Sequence, residues 1–176
     1  MKRCKTLALT GLLLHCAATV SADSPADESM SVADRCRAEI VELHVFLEEW
    51  SNAKLPQTDD AFDRFARVIA PSFEIIGPDG SSGGREPTVE AIRGAYGRWR
   101  DKPGRIRIEN VRLREADGRL AVATYEEWHD FPDASDGRLS TVLFGANSEA
   151  PNGLVWLHLH EVWLEPEAEA AQAEGE

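Results

Sequence analysis

The sequence predicts an α+β domain in which three N-terminal helices pack on a strongly curved, mostly antiparallel sheet. Before Pro103, apolar residues recur at spacings of three and four, which is the period of an amphipathic helix. After Gly104, apolar and polar residues alternate over several short segments, which is the period of half-buried strands. Helices followed by strands are typical of α+β folds. The folded part is expected to span residues 34–164.

Three helices are predicted in the first half of the chain. The first carries apolar residues at spacings of four, three, four and three, on one helix face: Cys36, Ile40, Leu43, Leu47 and Trp50. A second helix is predicted over residues 59–70 and a third over residues 88–100. Because Cys36 falls on the apolar face of the first helix, we expect it to pack as a small hydrophobic residue.

Five strands are predicted after the second helix. A brief strand over residues 72–76 leads into a glycine-rich turn, and the other four form an antiparallel meander over residues 105–114, 119–128, 138–144 and 154–164. The acid-rich segment 129–137 is expected to be a long turn within that meander. Apolar parity changes between Ile108 and Val111, which predicts a β-bulge near Glu109 and Asn110. Because a bulge bends a strand, the sheet is expected to curve.

Four segments carry a resemblance to a known superfamily. They are the first helix ending in Glu49-Trp50, and the segments Phe73 to Gly80, Val122 to Trp128 and Trp156 to Trp163. In this order they resemble the nuclear transport factor 2-like superfamily of cone-shaped domains, within it the branch that includes domain of unknown function 4440 and the polyketide cyclases. The resemblance implies a helix-covered concave sheet with an apolar pocket, often dimeric through the sheet. In different members that pocket is a ligand site or the active site of isomerases, dehydratases or cyclases, and other members are assembly modules, so the fold leaves the function open.

The two ends of the chain differ in composition from the part between them. Residues 1–22 combine a basic start, an apolar stretch and small residues before Asp23, which predicts a signal peptide cleaved near Ala22. We therefore expect a periplasmic or secreted protein without stable membrane insertion; a lipoprotein signal using Cys16 is the weaker alternative. Residues 23–33 are expected to be a disordered linker and residues 165–176 an acidic disordered tail.

The charge balance restricts the partners. The chain has 19 Lys and Arg against 31 Asp and Glu, a formal net charge of -12 at pH 7. No basic stripe offsets this balance, so it excludes a non-specific binder of nucleic acid. After removal of the signal peptide Cys36 is the remaining cysteine, so no internal disulfide is expected.

The last predicted strand holds two histidines. A period of two places His158 and His160 on the same face as Trp156. Their side chains would stand about 6 to 7 Å apart, close enough to chelate one metal ion with a third ligand. Structural or pocket hydrogen bonding is the favoured interpretation, so we expect no metal and no cofactor.

The strand before it carries candidate acid-base residues. Tyr125, Glu127 and His129 share one face of this strand. The opposite face carries Glu126, Trp128 and Asp130. Only one of the two faces can line a cavity. A carboxylate beside aromatic walls could act as a general base while a tyrosine hydroxyl stabilises an oxyanion. The catalytic hypothesis therefore assigns the base to Glu127 or His160 and the donor to Tyr125. The alternative is that the glutamates face solvent.

The aromatic residues predict a ligand pocket. Its expected lining is Trp50, Tyr96, Trp99, Trp156 and His158, which would suit a small apolar or aromatic ligand. The sequence favours an exported, homodimeric small-molecule-binding domain. Two alternatives stay open: an isomerase, dehydratase or cyclase with the same pocket, and a homo-oligomerisation module without a ligand.

Overall fold

The structure is a computed structural model that describes residues 30–164. In this part of the chain three helices and six strands follow one another: α1 Val32–Ser51, α2 Asp59–Ala66, β1 Ile69–Ile76, β2 Ser82–Gly84, α3 Arg85–Gly94, β3 Arg105–Ala116, β4 Leu120–Phe131, β5 Ala134–Ala146 and β6 Leu154–Trp163. The predicted signal peptide, most of the predicted linker and the predicted acidic tail lie outside the described residues. The α+β class with three helices and a mostly antiparallel sheet is confirmed.

Side-chain caps and a proline determine where the first two helices begin and end. The hydroxyl of Ser31 accepts from the backbone N–H of Asp34 and caps α1, and Thr58 caps α2 in the same way. The helix α2 ends four residues before the predicted end, because the residue before Pro71 favours extended backbone and Ile69 and Ala70 already belong to β1. No helix of the described part is long and apolar enough to span a membrane.

The third helix is displaced from its predicted bounds. It runs from Arg85 to Gly94, because Pro87 fits within the first turn, where its missing N–H costs nothing. Beyond Gly94 the chain turns, and Gly97 adopts a φ of 69° that favours glycine. There the N–H of Gly97 donates to the carbonyl of Trp50, which ties the chain to the end of α1.

The six strands form one sheet in the order β2-β1-β6-β5-β4-β3. The predicted meander is present as β3 to β6, and β1 adds to its edge by pairing parallel to β6. The glycine-rich segment predicted as a turn contains the short strand β2, which pairs with β1. The segment predicted as a long turn over residues 129–137 is also mostly strand, since Phe131 pairs with Ala134 and leaves a two-residue connection.

The register shifts at four places in the sheet, and two of these irregularities bear on the sequence predictions. The first is the predicted one: the register of β3 against β4 shifts between Glu109 and Arg112, and Asn110 has a φ of 51°. The second lies in β6 and was not predicted. Phe144 pairs with Trp156 whereas Leu143 pairs with His158, so Leu157 is an extra residue.

The bulge at Leu157 reverses the parity of β6. Trp156 faces the helices, and beyond the bulge Leu159 and Glu161 do so in place of the two histidines. The expectation that Trp156, His158 and His160 share one face is therefore wrong, because strict alternation fails across an inserted residue.

The core lies between the helices and the concave face of the sheet. An aromatic cluster links α1 and α2, with Phe46, Trp50, Phe62 and Phe65 at ring-centroid distances of 5.1 to 6.2 Å. Cys36 is buried there as a free thiol. Phe65 of this cluster also lines a cavity that remains between the helices and the sheet.

Candidate functional site

A cavity of about 450 Å³ lies between the helices and the sheet. This volume is within the range of small-molecule sites. Most of its wall is apolar, with aromatic side chains from helices, strands and the segment after α3: Phe65, Phe73, Trp99, Phe131 and Trp156. The remainder is polar or charged.

The structure brings some of the predicted site residues together. Tyr125 and Glu127 line the cavity with His129, so this set, rather than the one containing Glu126, faces inward. Trp99 and Trp156 also line it, as expected.

Other predicted site residues lie elsewhere. His160 is exposed and His158 half-buried, and the bulge in β6 places both outside the cavity. Trp50 and Tyr96 pack beside it in the core, where the Trp50 indole donates to the carbonyl of Ile92 and the Tyr96 hydroxyl to that of Leu55. In residues 30–164 no group of three or more His, Cys, Asp or Glu side chains could hold a metal ion.

Glu127 is held between two histidines. His44 Nε2 lies 3.1 Å from Glu127 Oε2, and His129 Nε2 lies 2.7 Å from Glu127 Oε1. Glu127 and His44 are both buried. A carboxylate only accepts hydrogen bonds, so both histidines donate to it through Nε2.

The partners of His44 define its charge. Its second ring nitrogen, Nδ1, lies 2.6 Å from the carbonyl oxygen of Ile40, which is also an acceptor. Both ring nitrogens therefore donate, and His44 is an imidazolium. Burial alone would lower the pKa of His44, but the charge and hydrogen bond of Glu127 and the Ile40 carbonyl outweigh it and raise that pKa.

The same contact lowers the pKa of Glu127. Burial alone would raise the pKa of Glu127, but the charge of His44 and the hydrogen bonds from both histidines hold it well below its usual 4.5. Glu127 is therefore an ionised carboxylate, and each of its two oxygens accepts a hydrogen bond from one histidine.

The second ring nitrogen of His129, Nδ1, accepts a hydrogen bond instead of donating one. Arg138 Nη2 lies 3.3 Å from His129 Nδ1, and a guanidinium can only donate. His129 Nδ1 therefore accepts while its Nε2 carries the proton. The result is one directed chain of hydrogen bonds along the cavity wall, from Arg138 through His129 to Glu127.

The chain continues to a second buried carboxylate. Arg138 Nη1 lies 3.5 Å from both oxygens of Glu161, and Glu161 is 5% exposed. Burial and the negative charge of Glu127 raise the pKa of Glu161, and Arg138 opposes that rise. We call His44, Glu127, His129, Arg138 and Glu161 the charged run.

A separate buried carboxylate positions one wall of the cavity. Glu39 is completely buried and accepts from Arg64, from Asn152 and from the indole Nε1 of Trp156 at 3.1 Å. Isolated glutamates are usually exposed. The partners of Glu39 come from other elements, and they account for its burial.

Sequence reasoning missed His44, Arg98, Arg138 and Glu161 as cavity residues. A signal existed for His44, since it stands four residues after Ile40 and three before Leu47, within the apolar stripe of α1. Glu161 required knowledge of the bulge at Leu157. Arg138 required knowledge that residues 129–137 form a hairpin rather than a loop.

Solved structures of similar shape define the class of protein. One is an NTF-2 like protein of unknown function from Pseudomonas aeruginosa, with a TM-score of 0.65 and 26% identity, covering 74% of this chain and 99% of that one. Another is the CaMKII hub of S. rosetta, with a TM-score of 0.57 and 13% identity, covering 77% of this chain and 99% of that one. The fold is therefore that of the nuclear transport factor 2-like superfamily, as the sequence predicted.

A family model identifies a narrower group than this superfamily. A family model described as sucrose-6-phosphate phosphohydrolase C-terminal matches residues 36–165, and the chain belongs to that family. Membership of the domain of unknown function 4440 branch stays a prediction.

Curated relatives include sucrose-phosphatase 1 of Nicotiana tabacum, 24% identical over 136 residues, covering 77% of this chain and 32% of the relative. Sucrose-phosphatase 2 of the same plant is 22% identical over 127 residues, which cover 72% of this chain and 30% of that relative. The chain spans about a third of the length of the curated relatives it matches.

Proposed function

We propose that this chain is a small-molecule-binding domain whose ligand occupies the cavity between the helices and the sheet. The observation that carries the proposal is the composition of the cavity wall: aromatic and aliphatic over most of its area, with the charged run on one side. Apolar walls with a few oriented polar groups are what ligand sites require, since the walls provide affinity and the polar groups fix orientation. A purely structural core would fill the space with side chains.

The same geometry favours binding over catalysis by Glu127. A general base works best when its pKa lies near the working pH. The charge of His44 and the hydrogen bonds from both histidines instead hold the pKa of Glu127 well below 4.5, which makes Glu127 a weak base. The free nitrogen of His129 accepts from Arg138 and is not available to take a proton while that contact is kept.

The family suggests which ligands to try first. The relatives are named as sucrose-phosphatases, and the family is described by their C-terminal part. We therefore include sucrose and sucrose 6-phosphate in the ligand panel, together with small aromatic and aliphatic acids, amides and alcohols.

The test is ligand-induced stabilisation of the full chain. A ligand at 100 times its dissociation constant stabilises the native state by about 2.7 kcal/mol, which raises the unfolding midpoint by several degrees. Leu159→Trp, which fills the cavity, should abolish the shift, whereas Val45→Trp on the exposed side of α1 should preserve it. A panel without any stabilising compound, or a shift that survives Leu159→Trp, would contradict the proposal.

A second candidate is homo-oligomer formation through the convex face of the sheet. Leu139 and Val162 are direct cross-strand partners on that face and are 38% and 45% exposed. Exposed apolar pairs of this kind often mark contacts between chains, and one structural neighbour is a CaMKII hub. Light scattering should report a dimer for the wild type and a monomer for Leu139→Asp; a wild-type monomer would remove this candidate.

Export also stays a proposal. It depends on the composition of residues 1–22, and intact-mass analysis of the protein from its host should show a mature chain that begins near Asp23.

A further inference from the structure

The cavity contains hydrogen-bond donors without acceptors. Tyr125 is completely buried and lines the cavity, yet its hydroxyl makes no well-aligned hydrogen bond within residues 30–164; the hydroxyl of Ser140, its cross-strand partner, lies beside it and is equally unsatisfied. Arg138 Nε is buried and also has no acceptor among residues 30–164. Buried polar groups in native proteins are rarely left in this state, because each costs about 1 to 3 kcal/mol.

A third donor group lines the same cavity. Arg98 follows α3 and is an exposed residue, with its guanidinium carbon 4.9 Å above the ring of Trp99. That guanidinium makes no hydrogen bond and no ion pair within the described part of the chain. Burial and the positive charge of Arg138 lower the pKa of Arg98, while the negative charge of Glu127 opposes the change.

The two carboxylates of the charged run already have cationic or histidine partners. The two oxygens of Glu127 accept from His44 and His129, and the two oxygens of Glu161 face Arg138. The positive charge of His44 balances the negative charge of Glu127, and that of Arg138 balances Glu161. The charge of Arg98 is not balanced within the described residues, so the cavity has one positive charge in excess.

We propose that the ligand is an organic anion, a carboxylate or a phosphate ester on an apolar body, whose anionic oxygens accept from Arg98, Arg138 Nε and Tyr125. The proposal rests on the binding function proposed above and specifies its ligand class. Guanidinium groups suit it because they present several donors in one plane to carboxylate or phosphate oxygens. The tyrosine hydroxyl stays protonated, since burial and the charges of Glu127 and Glu161 raise its pKa well above 10.

The apolar walls account for the other part of the ligand. Trp99 and Phe131 have centroids 5.2 Å apart and meet edge to face beside Arg98. Flat rings or aliphatic chains would pack on these surfaces while the anionic end meets the donors. A free inorganic anion would leave most of the cavity empty.

Three probes with one ring system separate the possibilities: 2-naphthoate, 2-naphthyl phosphate and the neutral 2-naphthamide, measured by isothermal titration with the full chain. We expect an anion to bind at least tenfold more tightly than the amide, because hydrogen bonds to charged groups are stronger than neutral ones. The two anions identify whether the site prefers carboxylate or phosphate.

Three variants test which side chains recognise the anion. Arg98→Gln should reduce the preference for the anion at least tenfold, and it should fold because Arg98 has no hydrogen bond or ion pair to lose in the described structure and its stacking on Trp99 is at an exposed position. Arg100→Gln, an exposed arginine two residues away and outside the cavity, should leave the preference unchanged. Tyr125→Phe keeps the ring and should weaken binding of the anion severalfold.

The outcomes are distinguishable. If the amide binds as tightly as both anions, or if Arg98→Gln leaves the preference intact, the inference about anions is wrong while the binding function stands. If none of the three probes nor any compound of the wider panel binds, the binding function itself is contradicted.

Discussion

Replacing Glu127 by glutamine tests the ion pair on which the charged run depends. The amide can accept from His129 through its oxygen, but its NH₂ group then faces His44 Nε2. His44 must release that proton to accept, so the variant replaces one buried ion pair by neutral hydrogen bonds. Hydrogen bonds to charged groups exceed neutral ones by about 1 kcal/mol each, so two of them predict a loss of about 2 kcal/mol.

The loss should depend on pH. The raised pKa of His44 stabilises the native state fully below its ordinary value of 6.5, and the stabilisation is lost as the pH rises through the folded-state pKa. The lowered pKa of Glu127 stabilises it fully above 4.5, and this contribution is lost as the pH falls through the folded-state pKa. The difference between wild type and Glu127→Gln should therefore be largest between pH 4.5 and 6.5 and decline on both sides.

Urea denaturation across this pH range measures the difference. Glu126→Gln is the matched control, because this neighbouring carboxylate lies on the other face of β4 and bonds to the exposed Asn110. We expect it to change stability by less than about 0.5 kcal/mol. A Glu127→Gln protein as stable as Glu126→Gln, or a difference that is flat with pH, would refute the assigned protonation states.

Two further substitutions test how the cavity is built. Gly104→Ala would place its Cβ 2.5 Å from Phe131 and 3.0 Å from Trp99, so we expect about 1 to 3 kcal/mol of destabilisation by urea denaturation and weaker binding of 2-naphthoate. Unchanged binding would show that these rings do not contact the ligand. Glu39→Ala should cost about 3 to 5 kcal/mol because it leaves the partly exposed Arg64 and the buried indole N–H of Trp156 without their main acceptor, whereas Glu42→Ala nearby should cost under about 1 kcal/mol. Equal losses would contradict the structural role of Glu39.

The fold was predictable because each of its signals is local. The stripe from Cys36 to Trp50 marks α1, and the parity change after Ile108 marks the bulge in β3. Each depends on neighbouring residues whose spacing reports directly on helix or strand period. The superfamily followed from their order.

The site was less predictable because it depends on contacts that are distant in the sequence. Glu127 was chosen for its chemistry, but its partner His44 lies 83 residues away on α1. The bulge at Leu157 has no compositional marker, so alternation placed His160 in the cavity where Glu161 stands. A one-residue insertion exchanges every side chain between the two faces, which is why the error affected the whole end of the strand.

The indole N–H resonances of the five tryptophans test the central claim most directly, in a nitrogen-15 NMR titration of the full chain with 2-naphthoate or 2-naphthyl phosphate. Trp99 and Trp156 line the cavity, whereas Trp128 and the half-exposed Trp163 lie outside its lining. The expected result is a saturable shift of the Trp99 and Trp156 resonances that is lost in Leu159→Trp. Shifts confined to Trp128 and Trp163, or no saturable shift at all, would contradict a ligand site in the cavity.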